Sequence, residues 1–166
     1  MRRAAIQRGL VVAALAGLLA PAALAQNSAP APAGLAIEGR VEHPRTLALA
    51  DLQALPPVTV QVEHSHGQDA QKETCTGALL WPLITAAGPV DEPGKRMFLR
   101  HTVLARGQDG YAVALAIGEL DPNFEGKQVL IAYAQDDKPL PGLRLVVPAD
   151  TRGGRSVHDL VAIEVR

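Results

Sequence analysis

An α+β domain is expected from this sequence, preceded by a segment that does not belong to it. Three observations lead there. Several short stretches alternate apolar and polar residues with a period of two. The helical stretches are few, short and bounded by proline or glycine. The first 25 residues carry the charge and hydropathy pattern of an export signal rather than of a folded element.

Arg2, Arg3 and Arg8 form a positive region, residues 9–24 an apolar run, and Ala23-Leu24-Ala25 a small-x-small cleavage site. Residues 1–25 therefore read as a secretory signal peptide, too short and wrongly flanked for a stable anchor. The expected location is periplasmic or secreted. No second long apolar run follows, so no transmembrane anchor is expected in the mature protein. Residues 26–34 (QNSAPAPAG) read as a flexible linker, and residues 35–166 as one domain. Loss of the three arginines takes the formal net charge from −1 to −4. That mild acidity, with no basic block, argues against nucleic acid as a partner. Aromatic residues make up only 3%, so Val, Leu, Ile and Ala must fill the core.

Leu35, Ile37, Gly39 and Val41 alternate with Ala36, Glu38, Arg40 and Glu42, a half-buried strand. Thr46 to Leu55 reads as a short helix stopped by Pro56-Pro57. Val58, Val60 and Val62 alternate with Thr59, Gln61 and Glu63 in a second strand. Glu73 to Thr76 reads as a brief strand. Leu80 to Ala87 reads as a helix with Pro82 in its first turn and Gly88 closing it. Met97–Arg106 and Tyr111–Ala116 read as a hairpin turning at Asp109-Gly110, and Ile117 to Leu120 as a single helical turn. Asp121 to Gly126 reads as a Pro-initiated turn, since Ala132 stands where a calcium loop needs its glutamate. Val129–Ala134 and Leu143–Val147 read as apolar strands separated by a Pro-rich turn. Val161, Ile163 and Val165 mark a final strand.

Three features could carry chemistry. His64-Ser65-His66 places two imidazoles at i and i+2. If the Val58 strand continues, both extend the face of Val58, Val60 and Val62, where such a pair can chelate Zn²⁺ or Cu²⁺. Cys75, His101 or Glu63 would have to complete that metal site. The alternative is a strand end running into a polar loop with exposed histidines. The second feature is Arg152-Gly153-Gly154-Arg155-Ser156-Val157-His158. Glycines flanked by arginines leave backbone N–H groups beside guanidinium forks, which suits phosphate. The alternative is a surface turn before the last strand. Arg100-His101 and Arg144 are further candidates for an anion pocket. The third feature is Cys75, the single cysteine, which cannot form an internal disulfide despite the oxidising destination. It reads as a buried thiol beside Leu79-Leu80-Trp81; the alternatives are a ligand or a redox thiol.

Several segments in order resemble the molybdopterin-binding oxidoreductase domain, the fold of sulfite oxidase. They are LAIEGRVEHPRTLALADLQALP, CTGALLWPLITAAG, RGQDGYAVALAIGELDP, VLIAYAQDDKPLPG and LRLVVPADTRGGRSVHDLVAIEVR, together covering most of Leu35 to Arg166. The resemblance implies a mixed α+β fold with a β-sheet, barrel-like core and short helices. It implies molybdopterin as the cofactor, a cysteine thiolate on the metal, and contact between Arg152–His158 and the phosphate side of the pterin, with His158 where a lysine is common. The thiolate position, counted back from Gly77, falls within Glu63-His64-Ser65-His66-Gly67, which holds no cysteine. Cys75 stands where the family usually has an apolar or aromatic residue. In this family the cofactor is inserted before export through the twin-arginine route. Arg2-Arg3 is followed by Ala4-Ala5-Ile6-Gln7, which lacks the hydrophobic pair of that signal and favours export of an unfolded chain.

These readings lead to a periplasmic molybdopterin-oxidoreductase-like domain without the molybdenum thiolate, acting as a ligand-binding or accessory redox-associated protein. Its partner would be a small anionic ligand or a periplasmic redox protein. The candidate cofactor-binding residues are His64, His66, Arg100, His101, Arg152, Arg155 and His158, with His64 and His66 as metal ligands; no catalytic residue is assigned. The competing functions are an active molybdopterin-dependent oxidoreductase and a periplasmic transition-metal-binding protein using the His-x-His pair.

Overall fold

The structure, a computed structural model, describes residues 34–66, 69–94 and 97–166, without the side chains of residues 64–71. The expected signal peptide, and the linker up to residue 33, lie outside the described residues.

Among the described residues, nine strands and three short helices follow in order. β1 (Leu35–Gly39) and β2 (Arg45–Leu47) precede α1 (Leu49–Gln53). β3 (Val58–His66) and β4 (Asp69–Leu79) lead into α2 (Leu80–Ala87). A 3-10 turn at Met97–Arg100 precedes β5 (Thr102–Gly107) and β6 (Ala112–Ala116). Then come α3 (Ile117–Leu120), β7 (Leu130–Gln135), β8 (Lys138–Val146), a 3-10 turn at Gly153–Arg155, and β9 (Leu160–Val165). They form two sheets, one in the order β2-β1-β9-β5-β6 and one in the order β3-β4-β7-β8. β1 and β9 pair in parallel, and the other pairings are antiparallel. Among the described residues no helix is long and apolar enough to cross a membrane.

Where the elements differ from expectation, tertiary pairing is the reason. Thr46 and Leu47 are drawn out of the expected helix into β2, which pairs with Leu35–Ile37, so α1 begins later, with Asp51 Oδ2 accepting the Ala48 N–H at 2.8 Å. The brief strand expected at Glu73–Thr76 is an 11-residue strand, because β3 pairs with it from Asp69 to Gly77 and β7 from Cys75 to Leu79. Met97–Arg100 turns instead of extending, and Phe98 packs edge-on against Trp81 and His101. The turn expected between Ala134 and Leu143 is shorter than the Pro-rich segment. The chain reverses at Asp136-Asp137, with φ 48° and 61°, the left-handed pair of a tight hairpin. Pro139 and Pro141 then lie within β8, an edge strand, where a missing N–H is tolerated. By contrast α2 has the expected bounds. Gly88 closes it at φ 68°, donating to the Thr85 carbonyl at 3.1 Å.

The main core lies between the sheets. Leu35, Ile37, Val103, Ala105, Ile163 and Val165 meet Ala78, Ile131 and Leu145, with Leu80, Leu83 and Ile84 of α2 filling one side. A smaller cluster of Val60, Val62, Cys75, Leu130, Ala132 and Val146 occupies the other face of the four-stranded sheet. Neighbours such as Leu130 and Ile131 fall in different clusters because strand side chains alternate faces. Gly77 permits the close approach of β4 to β7: a Cβ there would collide with the Ile131 carbonyl. The ladder shifts register at this point.

Candidate functional site

β3 continues without interruption through His66, with His64 opposite Gln71 and His66 opposite Asp69 in β4. The histidines therefore sit at i and i+2 of one strand, in the register that buries Val60 and Val62; their side chains lie outside the described residues. On the other face, Gln61 and Glu63 border a hollow of about 360 Å³ closed by Ala149, Asp150 and Thr151. The fold thus brings the chain leading into Arg152 against β3, just before the histidine pair.

The Gly-rich segment is pinned by one of its own arginines. Arg155 grips Asp150 through two bonds, Nε to Oδ2 at 2.8 Å and Nη2 to Oδ1 at 2.6 Å. Its Nη1 donates to Glu119 Oε2 at 2.8 Å, and Lys127 Nζ donates to the same oxygen at 3.0 Å. These bonds tie the turn to α3. The hydrogen bonds to Asp150, then Glu119, hold the Arg155 guanidinium more firmly protonated than usual. Burial raises the Glu119 carboxyl, but the hydrogen bonds from Arg155 and Lys127 outweigh it and the net shift is downward. The Tyr111 hydroxyl donates to the Gly154 carbonyl at 2.5 Å. Arg152 and His158 are exposed, and neither has a side-chain hydrogen bond among the described residues. Around Gly154 a Cβ would meet nothing within 4 Å. The segment thus offers two free basic side chains flanking an open, anchored backbone turn.

Beside it lies a buried polar cluster. Arg144, 6% exposed, donates from Nη1 to Glu73 Oε2 at 2.8 Å and to Gln135 Oε1 at 2.9 Å. Its Nε donates to Ser156 Oγ at 2.7 Å, and that hydroxyl donates to the Leu145 carbonyl at 3.1 Å. Cys75, two residues from Glu73 on β4, is fully buried. It packs in the small cluster with Leu79, whereas Leu80 and Trp81 belong to the main core. Burial pushes the Cys75 thiol up, the nearby Arg144 charge opposes this, and Glu73 and Asp136 add to it. The result is a protonated thiol closed in by aliphatic side chains.

Arg100 and His101 stand elsewhere. His101, 4% exposed, has Nε2 2.8 Å from Asp91 Oδ1 and Nδ1 3.1 Å from the Arg166 main-chain oxygen. It shares a hollow of about 200 Å³ with Arg40, Glu92, Met97, Arg100 and Arg166. Arg166 follows the end of β9 and His158 precedes its start. One strand of six residues separates them, roughly 20 Å at 3.3 Å per residue. The structure therefore brings the chain before Arg152, and Arg155 through Asp150, near β3, leaves His158 at the start of β9 beside β8, and sets Arg100 and His101 at the opposite end of the five-stranded sheet. Sequence reasoning missed the acidic partners, Asp150, Glu119, Glu73 and Asp91. Only Asp150, five residues before Arg155, was within local reach. Glu119 and Glu73 come from distant strands and helices.

The chain belongs to a known class of protein. The family model described as "oxidoreductase molybdopterin binding domain" matches residues 25–166, so the chain is a member of that family. Among solved structures it is similar to the sulfane dehydrogenase SoxCD from Paracoccus pantotrophus, with TM-score 0.63 and 19% identity. The alignment covers 79% of this chain and 37% of that one, so this chain spans little more than a third of its length. The likeness establishes the sulfite-oxidase-like fold. No curated protein sequence matches the chain.

Proposed function

We propose that this chain is a periplasmic member of the family that keeps the fold without a thiolate-held molybdenum, and that it serves as a ligand-binding or accessory redox-associated protein. The observation that carries this is the state of Cys75. A metal thiolate needs a sulfur that ionises readily and faces the ligand. The only sulfhydryl in the sequence is fully buried with its pKa pushed upward, so it does not fit that role. Two of the arginines near the candidate site, Arg144 and Arg155, are already spent on carboxylates. A small anionic ligand would instead meet Arg152, His158 and the open turn at Gly153-Gly154. Export of an unfolded chain, as the leader composition suggests, agrees with a protein that carries no preloaded pterin.

The test is elemental analysis and mass spectrometry of the protein purified from its native periplasm. The expected result is molybdenum far below one atom per chain and no pterin. Stoichiometric molybdenum with pterin would overturn the proposal and restore the oxidoreductase reading.

A second reading, a transition-metal site on His64 and His66, is favoured by the uninterrupted run of β3 through both positions. Calorimetric titration with Zn²⁺ and Cu²⁺ at neutral pH should show binding that the double change His64→Ala/His66→Ala abolishes. Imidazole must be neutral to bind, so affinity should fall below about pH 6.5. No binding tighter than about 0.1 mM, or equal binding by the double variant, discards this reading.

A further inference from the structure

The two sheets have four edges, and three are guarded against pairing with another strand. β2 is three residues long and begins with Arg45. β8 contains Pro139 and Pro141, and Leu145 near its inner end is bridged by Val157. β3 presents Gln61 and Glu63 on its exposed face. β6, Ala112–Ala116, has no charge, no proline and no register shift against β5. Unprotected edges of this kind are what natural sheets avoid unless a strand is to be added.

The backbone of β6 can be assigned residue by residue. Thr102 exchanges both of its main-chain hydrogen bonds with Arg166. Alternate residues of β5 therefore face β9, and Val103, Ala105 and Gly107 face β6, in agreement with the bond from Gly107 N–H to the Tyr111 carbonyl at 2.8 Å. This commits Val113 and Leu115 to β5, their register partners being Ala105 and Val103. The main-chain groups of Ala112 and Ala114 point outward, with no partner among the described residues.

We propose that β6 is the pairing edge for a second copy of this chain, joined antiparallel about a two-fold axis through Ala114. The segment Ala112-Val113-Ala114-Leu115-Ala116 reads nearly the same in both directions, so it is complementary to itself. Pairing about Ala114 sets Ala112 of each copy opposite Ala116 of the other and lets the two Ala114 residues exchange both N–H and C=O. The strand itself carries no charge and its exposed side chains are methyl groups that allow close approach, while the Ala116 N–H is held by Glu119 Oε1 at 3.3 Å and leaves the Ala114 pair as the centre of the contact. A two-fold axis requires this kind of self-matching patch.

A second observation points to the same edge. The chain has one Trp, two Tyr and two Phe. Two of them are exposed, Tyr111 at 49% before the strand and Phe124 at 57% after it in sequence. Tyr111 immediately precedes β6. Phe124 is in the turn after α3, the helix that follows β6 directly, and Glu125 N–H in that turn donates to the Gly118 carbonyl of α3 at 3.2 Å. The two-fold axis turns the Tyr111 end of one copy toward the α3 end of the other. Strand pairing alone falls short of the roughly 1,200 Å² of a stable interface. The dimer should therefore be weak and reversible.

Sedimentation velocity of the full chain, from micromolar to submillimolar concentration, is the test. The expected result is a concentration-dependent monomer–dimer equilibrium. Ala114→Lys places two lysines face to face across the axis and should raise the dissociation constant at least about tenfold. Thr59→Lys on the β3 edge should leave it unchanged. A chain that stays monomeric throughout, or a dimer indifferent to Ala114→Lys, overturns the proposal. Should Ala114→Lys fail to fold by circular dichroism, amide hydrogen exchange of the unaltered protein decides. Ala112 and Ala114 should exchange more slowly as concentration rises, and exchange independent of concentration overturns the proposal equally.

Discussion

The two apolar clusters share the strands of one sheet and differ in what surrounds them. The main core between the sheets is closed by aliphatic side chains from both sheets and from α2. The small cluster on the other face is rimmed by Arg144, Glu73, Gln135 and Ser156, and holds Cys75 at its centre. An apolar core answers to volume alone, whereas the rim answers to charge and hydrogen bonding as well. The first holds the fold together. The second lies where polar residues from β4, β7, β8 and the Gly-rich segment converge, and it encloses the thiol instead of presenting it.

That contrast can be broken experimentally. The largest effect should come from the main core. Ile163→Ala should cost about 4 kcal/mol in denaturant unfolding, because Ile163 is fully buried between tightly packed strands. Arg144→Ala should cost about 3 kcal/mol, since it strands Glu73 without its cation in a largely buried setting. The rim account is sharpened by the double change Arg144→Met with Glu73→Met, which should cost less than Arg144→Ala alone. If the double change costs more, the pair contributes net stability and is no mere satisfied rim. Cys75→Ala should cost about 1 kcal/mol by lost packing and leave any ligand binding unaltered.

The smallest effect concerns the tie between the Gly-rich turn and α3. The Glu119 carboxyl has its folded-state pKa lowered. Its contribution to stability is therefore present above the ordinary glutamate pKa and is lost as pH falls through the depressed value. Glu119→Gln should cost about 1 kcal/mol at neutral pH, discounted for partial exposure, and should flatten the fall in stability below about pH 4.5. An unfolding free energy measured against pH for both proteins checks this. Parallel curves would mean that Glu119 contributes nothing through its charge.

Much of the strand framework was legible in the sequence because alternation survives wherever one face is buried. β1, β9 and the valines of β3 show it plainly, and Gly88 marks the end of α2. The longer reach of β4 was not legible. Its residues Asp69–Lys72 carry no alternation, and they are held in the strand by pairing with Glu63–His66 of β3. Pro139 and Pro141 read as a turn because nothing local reveals that β8 is an edge. At the candidate site, the basic residues of Arg152–His158 stood out by composition. Their division into a pinned Arg155 and a free Arg152 and His158 depends on Glu119 and Asp150, and Glu119 is 36 residues away. The separation of Arg100-His101 from that segment follows from the direction of β9 and could not be read locally.

Native-state labelling of Cys75 with a thiol reagent decides whether the sole sulfur of the chain can meet a metal. The folded protein should react far more slowly than the denatured protein, at a rate that follows the opening of the β3–β4 and β7–β8 pairs and rises with denaturant. Labelling of the folded protein as fast as that of the denatured chain would contradict a closed-in thiol and return Cys75 to the ligands a molybdenum centre could use.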